Sequence, residues 1–361
     1  MKYYSLKNID KKQAEYNVII GKRSNGKTYS VCDKSLREHY KSGKRLAYIR
    51  RYAEDITPKF IKKLFAPHDL ESITAGKWNY IRYYNRGFYF AKIEDNKIID
   101  CEVEPFCQTF ALNVWESAKG ADNGYFDYIL FDEFITRGHY LADEFIIFCN
   151  VLSSVLRDRD GTKIYMLANT INKYCIYFSE MGINDVENMQ QGEIKVYPFG
   201  YGNEKLQIAV EYCSDTDNTK KVSKYFAFTN PRTKMITEGK WEIKNYPHIP
   251  KNITSDNIIY KAFVFFNHKF MCVNICEKNS EVFLTVHMQT KEFNSDNIIF
   301  DFTPNTKTNY FINLNVCDNK IGLLIRNLIN KQKIFYASNE VGELFRNWIL
   351  EQSKTQQIFL S

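Results

Sequence analysis

Lys27, Thr28, Asp132 and Glu133 are the residues of this chain best suited to phosphate chemistry. The stretch Gly21-Lys22-Arg23-Ser24-Asn25-Gly26-Lys27-Thr28 fits the pattern G-x-x-x-x-G-K-[S/T] in full. A chance match in a chain of this length has odds of about one in a hundred. Gly21 and Gly26 free the backbone to wrap phosphate with its N–H groups, and Arg23, Ser24 and Asn25 complete that loop. A helix opening at Lys27 adds the positive end of its dipole. Lys27 then reaches the β- and γ-phosphates of ATP, and the Thr28 hydroxyl holds Mg²⁺. The other half of such a site is an apolar strand ending in acid, which YILFDE supplies. Asp132 serves the magnesium through water, and Glu133 orients and polarises an attacking water. An acidic pair directly after the strand suits hydrolysis rather than transfer to an acceptor.

Further polar residues fall at strand and helix ends. KIYMLANT places Asn169 at a strand tip, where a polar side chain can sense the γ-phosphate. The helix before that strand ends LRDRDG, so Arg157 or Arg159 can reach a neighbouring subunit's site, where such an arginine adds roughly 10³- to 10⁵-fold to the rate. YIRRY places Arg50 at the end of another strand, able to couple Glu133 to a translocating substrate. Lys59, Lys62 and Lys63 lie close together in ITPKFIKKLF, a cluster able to meet the phosphates of a polyanion.

These residues need a scaffold that aligns strand ends. Four short apolar runs read as buried parallel strands: 17–20, 45–50, 127–132 and 163–169. Helical patterns cover Lys27–Tyr40 and Asp143–Arg157, so the N-terminal region is α/β with a mainly parallel sheet. A hairpin, WNYIRYYNRGFYFA followed by KIEDNKIID, is expected between Thr57 and Cys107. Residues 1–188 read as a phosphate-loop ATPase domain, 189–250 as a polar linker and 251–361 as a smaller α+β domain, closed by a helix at EVGELFRNWILEQ.

Composition sets bounds. The 361 residues suffice for two domains, and 44% hydrophobic content with Tyr 25 and Phe 27 excludes a disordered chain. A net charge of +7 permits a polyanionic partner without demanding one. Nine cysteines without a Cys-x-x-Cys pair fit a reducing compartment. His268, Cys272 and Cys276 share a spacing of four, which we read as buried strand residues rather than a zinc site. The polar N-terminus has no signal-peptide core, and no apolar run reaches about 18 residues, so the expected setting is the cytoplasm with no membrane partner.

The set IIGKRSNGKTYSV, LAYIRRY, VWESAKG, ILFDEF, SSVLRDRD and LAN resembles the DNA-packaging ATPases of phi-29-like short-tailed phages, across residues 15–180. The resemblance implies an ASCE-type P-loop ATPase domain and a C-terminal RNase H-type domain that has lost its nuclease acids. It implies a ring homo-oligomer, a pentamer, at the portal vertex of a procapsid in the host cytoplasm, driving double-stranded DNA inward, in some cases with a scaffold RNA. It places Arg157 on the family's trans-acting arginine and Lys119 on a second trans-acting basic position. Arg50 falls on the arginine of the family's RRY strand, and Arg23 on an arginine inside its loop. In the C-terminal domain FMCVNIC is read as the first strand, with Asn274 where a metal-binding Asp is expected. Without converging carboxylates, two-metal cleavage has no chemistry, so nuclease activity is not expected. Two other readings remain: a helicase- or pilus-type P-loop motor, and a nucleotide-regulated binding protein without motor activity.

Overall fold

Six strands lie side by side and all parallel at the centre of the first of two sheets in the computed structural model of the chain. The structure describes residues 4–115, 125–136, 140–141, 143–156, 161–171, 175–183, 185–201, 204–214, 246–266, 269–289, 296–303 and 305–358. The strands of the first sheet are β1 (Tyr16–Gly21), β2 (Leu46–Arg50), β3 (Tyr80–Tyr84), β4 (Gly87–Glu94), β5 (Lys97–Cys101), β6 (Cys107–Ala111), β7 (Tyr128–Asp132), β8 (Lys163–Asn169), β9 (Ile194–Tyr201) and β10 (Glu204–Tyr212). Their order is β3-β4-β6-β2-β7-β8-β1-β10-β9, with β5 on β4. The run β6-β2-β7-β8-β1-β10 is parallel throughout, and antiparallel strands close both sides. The fold is mixed α/β.

The pattern of the strands explains the layering. In β7 every residue is buried, so both faces are covered. Tyr128 and Leu130 join Val31 and Leu36 of helix α1 (Lys27–Ser42) in one core. Phe131 points the other way and stacks on Phe148 of helix α2 (Glu144–Leu156), ring centroids 5.1 Å apart. Helix α1 ends at Gly43, whose φ of 71° gives the left-handed cap and lets its N–H bond His39 O.

All four strands expected in the α/β region are present and adjacent, and the expected hairpin is β3–β4, continued by β5. The segment 189–250 is not simply a connector: β9 and β10 lie within it, and β10 pairs with β1 through Tyr16↔Ile208 to Ile20↔Tyr212. EKLQIAVEY carries its apolar residues in the middle of that polar segment. Its buried Ile208, Ala209 and Val210 cover β1 in the sheet. The chain divides into one unit of Met1–Thr136, Glu144–Lys173 and Glu180–Glu242, and another of Arg137–Asp143, Tyr174–Ser179 and Ile243–Ser361.

The second unit holds a six-stranded sheet: β11 (Ile258–Phe266), β12 (Lys269–Lys278), β13 (Glu281–Met288), β14 (Ile299–Asp301), β15 (Tyr310–Phe311) and β16 (Ile334–Tyr336), in the order β15-β14-β11-β12-β13-β16. Helices α3 (Lys320–Asn330) and α4 (Asn339–Ile358) cover one face through Ile325, Leu328, Phe345 and Trp348. Here FMCVNIC is the second strand of the meander, not the first. The longer apolar run IIYKAFVFF precedes it as β11, the strand that also carries β14 in parallel. Asn274 lies on β12 opposite Lys261 and bonds Thr285, so it does not mark the position expected of a first-strand acid. Among the described residues no helix is long and apolar enough to cross a membrane.

Candidate nucleotide-binding site

The site forms at the carboxyl ends of the parallel strands, where register sets its floor. Gly21 is level with Asn169, Asp132 with Leu167, and Ile49 with Phe131, so β1, β8, β7 and β2 end together. Open parallel sheets bind ligands at this edge. Strand β8 lies between β1 and β7, which leaves room for the loop after β1 to turn towards the acids after β7.

The loop Gly21–Thr28 is held in a turn that suits an anion. Gly26 has φ 92° and caps α1, and Ser24 has φ 58°. A methyl group on Gly21 would stand 2.9 Å from Cys213 Cβ and 3.0 Å from Asn25 Nδ2, so only glycine fits where the loop passes Cys213, just beyond β10. The N-terminal segment clasps the loop: Tyr4 N–H donates to Asn25 O at 3.0 Å, Ser30 Oγ donates to Tyr4 O, and the Tyr4 hydroxyl donates to Glu211 at 2.6 Å. Burial pushes the Cys213 thiol up to about 12, which leaves it a packing residue at neutral pH.

Lys27 is buried and its Nζ donates to Lys22 O at 2.7 Å and to Gly21 O and Asn25 Oδ1 at 3.2 Å each. Those acceptors are the ring that phosphate oxygens can replace. Desolvation brings the ammonium down to about 8, against the opposing pull of Cys213, Asp132 and Glu133. The Thr28 hydroxyl lies 3.3 Å from both carboxylate oxygens of Asp132. This oxygen pair, one neutral and one anionic, suits a hard divalent cation such as Mg²⁺. The buried Tyr48 hydroxyl donates to Asp132 Oδ2 at 3.2 Å. Burial and then Glu133 push the Asp132 carboxyl up, while Arg50, Tyr48 and Lys27 hold it down.

Glu133 stands apart chemically from its neighbour. Its side chain is 55% exposed and reaches Arg50, Nη2 to Oε2 2.8 Å. Arg50 also bonds Asp55 at 3.3 Å and lies 3.8 Å from Asp132. Glu133 itself has φ 60°, a left-handed conformation that costs a non-glycine residue roughly 1–2 kcal/mol. Arg51 turns the opposite way from Arg50. It is buried against Glu144, Nε to Oε2 2.7 Å and Nη2 to Oε1 2.8 Å, and donates to the carbonyls of Glu133 at 3.2 Å and Phe134 at 2.7 Å.

A cleft of about 370 Å³ unites these groups, lined by Arg23, Ser24, Asn25, Gly26, Lys27, Thr28, Tyr29, Asp132, Glu133, Ala168 and Asn169. The expected loop residues, the acidic pair and Asn169 thus meet in one place, with Arg50 behind Glu133. Lys59, Lys62 and Lys63 are exposed, on and just after a short helix. Arg157, Arg159 and Lys119 lie outside the described residues, as does His268. Cys272 bonds Asn274, and Cys276 Thr285, within β12 and β13. Among the described residues no group of three or more His, Cys, Asp or Glu side chains is placed to hold a metal.

Sequence reasoning missed Tyr48, Asp55, Arg51 and Glu144 around the acids, and Tyr4, Glu211 and Cys213 around the loop. For Glu144 there was a signal: an acid opening an apolar helix, EFIIF, needs a buried partner.

Fold and site together define a phosphate-loop domain of the kind that binds nucleotide at a parallel sheet edge. The profile of the Podovirus DNA encapsidation protein (Gp16) matches residues 1–197, and the chain belongs to that family. It is 25% identical over 174 residues to a DNA packaging protein of Bacillus phage phi29, and 27% identical over 168 residues to that of Bacillus phage B103. Each match takes in 45% of this chain, and spans about half the length of the relative, 46% and 47%. A chain of the phi-28 gp11 DNA packaging motor has a TM-score of 0.58 at 15% identity, covering 96% of this chain and 97% of that one. A chain of the bacteriophage phi-29 genome packaging motor assembly has a TM-score of 0.55 at 18% identity, covering 96% and 99%. At these identities the likeness is one of fold, and it extends over both units.

Proposed function

We propose that this chain is a phage DNA-packaging motor that hydrolyses ATP to move double-stranded DNA into a procapsid. The observation that carries the reading is the convergence of Lys27, Thr28, Asp132, Glu133 and Asn169 on one cleft, in a chain of an encapsidation family. The loop amides and the α1 N-terminus bind the phosphates, and Lys27 leaves its loop carbonyls for them. Thr28 and Asp132 hold Mg²⁺, which draws charge from the phosphate oxygens when bound. Glu133 accepts a proton from water aligned on the γ-phosphate, and Asn169 reports whether that phosphate is present. Strand β8 inserted between β1 and β7 supports an ASCE-type domain.

The antiparallel meander β11-β12-β13 with β14 and β15 added in parallel beyond β11 supports an RNase H-type second unit. Two of its acids serve other ends: Glu343 accepts from Tyr246 and Asp301 from Thr303 N–H. We read that unit as a docking domain without nuclease activity, towards the procapsid portal or a scaffold RNA. A ring, a pentamer as in the resemblance, places Arg157 and Lys119 at a neighbour's cleft and Lys59, Lys62 and Lys63 towards DNA phosphates.

Steady-state hydrolysis with and without double-stranded DNA tests the reading. Turnover rises with DNA, and the stimulation fades as salt rises, because phosphate contacts release counterions. Slow turnover indifferent to DNA points instead to a nucleotide-regulated binding protein. Stimulation by single strands with duplex unwinding points to a helicase.

Lys27 adds a pH signature. Between its buried value of about 8 and the free value of 10.5, the folded protein carries fewer protons here than the unfolded chain. Apo stability therefore gains from this residue as pH rises through that window. Nucleotide phosphates favour the ammonium, so binding above pH 8 takes up a proton. Affinity is flat below about 8 and weakens by up to about tenfold per pH unit above it. Calorimetry at pH 8.5 in buffers of different ionisation enthalpy reads that uptake directly; buffer-independent heats would contradict it.

A further inference from the structure

Glu133 has two supports, and only one of them touches its side chain. Its carboxylate meets Arg50, but its backbone is held from below. The Arg51 guanidinium spans both oxygens of Glu144 and the carbonyls of Glu133 and Phe134, while Phe134 N–H donates to Leu167 O of β8 at 3.2 Å. The Arg51 and Glu144 side chains are 5% and 0% exposed. Between these anchors Glu133 adopts its left-handed φ of 60°. An ordinary right-handed or extended residue at that point would send the carboxylate in another direction from the cleft. A planar fork with five donors can make all four bonds at once; a lysine ammonium cannot.

We propose that Arg51, locked by Glu144, is a positioning residue for Glu133: it holds the left-handed turn that aims the Glu133 carboxylate at the cleft. The inference rests on Glu133 being the group that polarises water. It separates the two neighbouring arginines by task, Arg50 on the carboxylate and Arg51 on the turn beneath it. Helix α2 is thereby tied to the geometry of the acid through its first residue, Glu144.

The full-length chain carries the test. Two variants are Arg51→Lys, which keeps a charge beside Glu144, and Arg51→Met with Glu144→Met, which leaves no buried charge unpaired. Each is made alone and with Glu133→Gln. ATP hydrolysis is measured in steady state and in single turnover, and nucleotide affinity by fluorescence. Both variants are expected to lower kcat by about tenfold or more with KM within about threefold, since binding groups are untouched. In the Glu133→Gln background the same changes cost less than about threefold, because residues acting through one group are not additive. A purely structural contribution would lower the rate equally in both backgrounds.

A wild-type kcat in the Arg51 variants overturns the proposal, as does an undiminished loss beside Glu133→Gln. Should the double-Met protein fail to fold, Arg51→Lys decides alone. A wild-type rate for Glu133→Gln by itself overturns the assignment of Glu133, and the role of Arg51 with it, and that pattern is distinct from either of the others.

Discussion

Glu133→Gln is expected to lower ATP turnover by about 10²- to 10⁴-fold, the usual worth of a positioned general base, while nucleotide affinity stays within a few-fold. The split follows from where the two acids sit. Asp132 is buried between Thr28, Tyr48 and Lys27, so its charge is spent on binding. Glu133 is half exposed at the cleft wall, and its carboxylate is bonded by Arg50 rather than by a residue of the loop. Glutamine keeps the size and one acceptor but cannot take a proton. Single-turnover hydrolysis of radiolabelled ATP, with affinity measured separately, checks both halves. Loss of affinity in parallel with the rate would move Glu133 into the binding site and leave the base unassigned. The contrast is Asp132→Asn, which is expected to weaken Mg²⁺-dependent binding as well as turnover.

Much of this arrangement was readable because local chemistry and element ends coincide. Gly21 and Gly26 flag the loop, and β1, β2, β7 and β8, buried except at some end residues, carry the hydrophobic signature of strands covered on both faces. Strand ends then fix which polar residues meet, so Asn169 could be placed from its position alone. Strand β6 escaped because CQTFA is short and half polar, and β10 because EKLQIAVEY sits in a polar stretch punctuated by Gly, Pro, Asn and Thr. In both cases the partner strand supplies what the local pattern lacks. RRY shows a further limit. Two adjacent arginines leave one strand end, and sequence cannot say which turns to the cleft surface and which to the interior. That choice is made by Glu144, distant in sequence and brought close only by the packing of α2. The order of the second sheet was likewise invisible, since strand pairing there is set by tertiary contacts and not by the composition of FMCVNIC.

Arg157→Ala is expected to lower hydrolysis by about 10³- to 10⁵-fold if an arginine from a neighbouring subunit completes the site. The cleft itself motivates the expectation. Its cationic lining residues among those described are Lys27, buried beneath the loop, and Arg23, on the loop's exposed surface. Arg50, the next cation, is engaged by Glu133 and Asp55. Among the described residues Arg23 is therefore the remaining partner for transition-state charge on the γ-phosphate in the same subunit, and an arginine from a neighbour is the alternative. Mixing separates them. Arg157→Ala and Lys27→Ala are each inactive alone, but a complete site forms wherever an Arg157→Ala subunit binds nucleotide beside a Lys27→Ala subunit that presents its arginine. In a randomly assembled ring of equal parts, about one quarter of the head-to-tail interfaces meet that condition. Hydrolysis in the mixture should approach that fraction of the wild-type rate and vanish on dilution below the assembly concentration. No recovery would exclude a trans arginine at 157 and turn attention to Arg23, whose alanine variant would then show the larger loss.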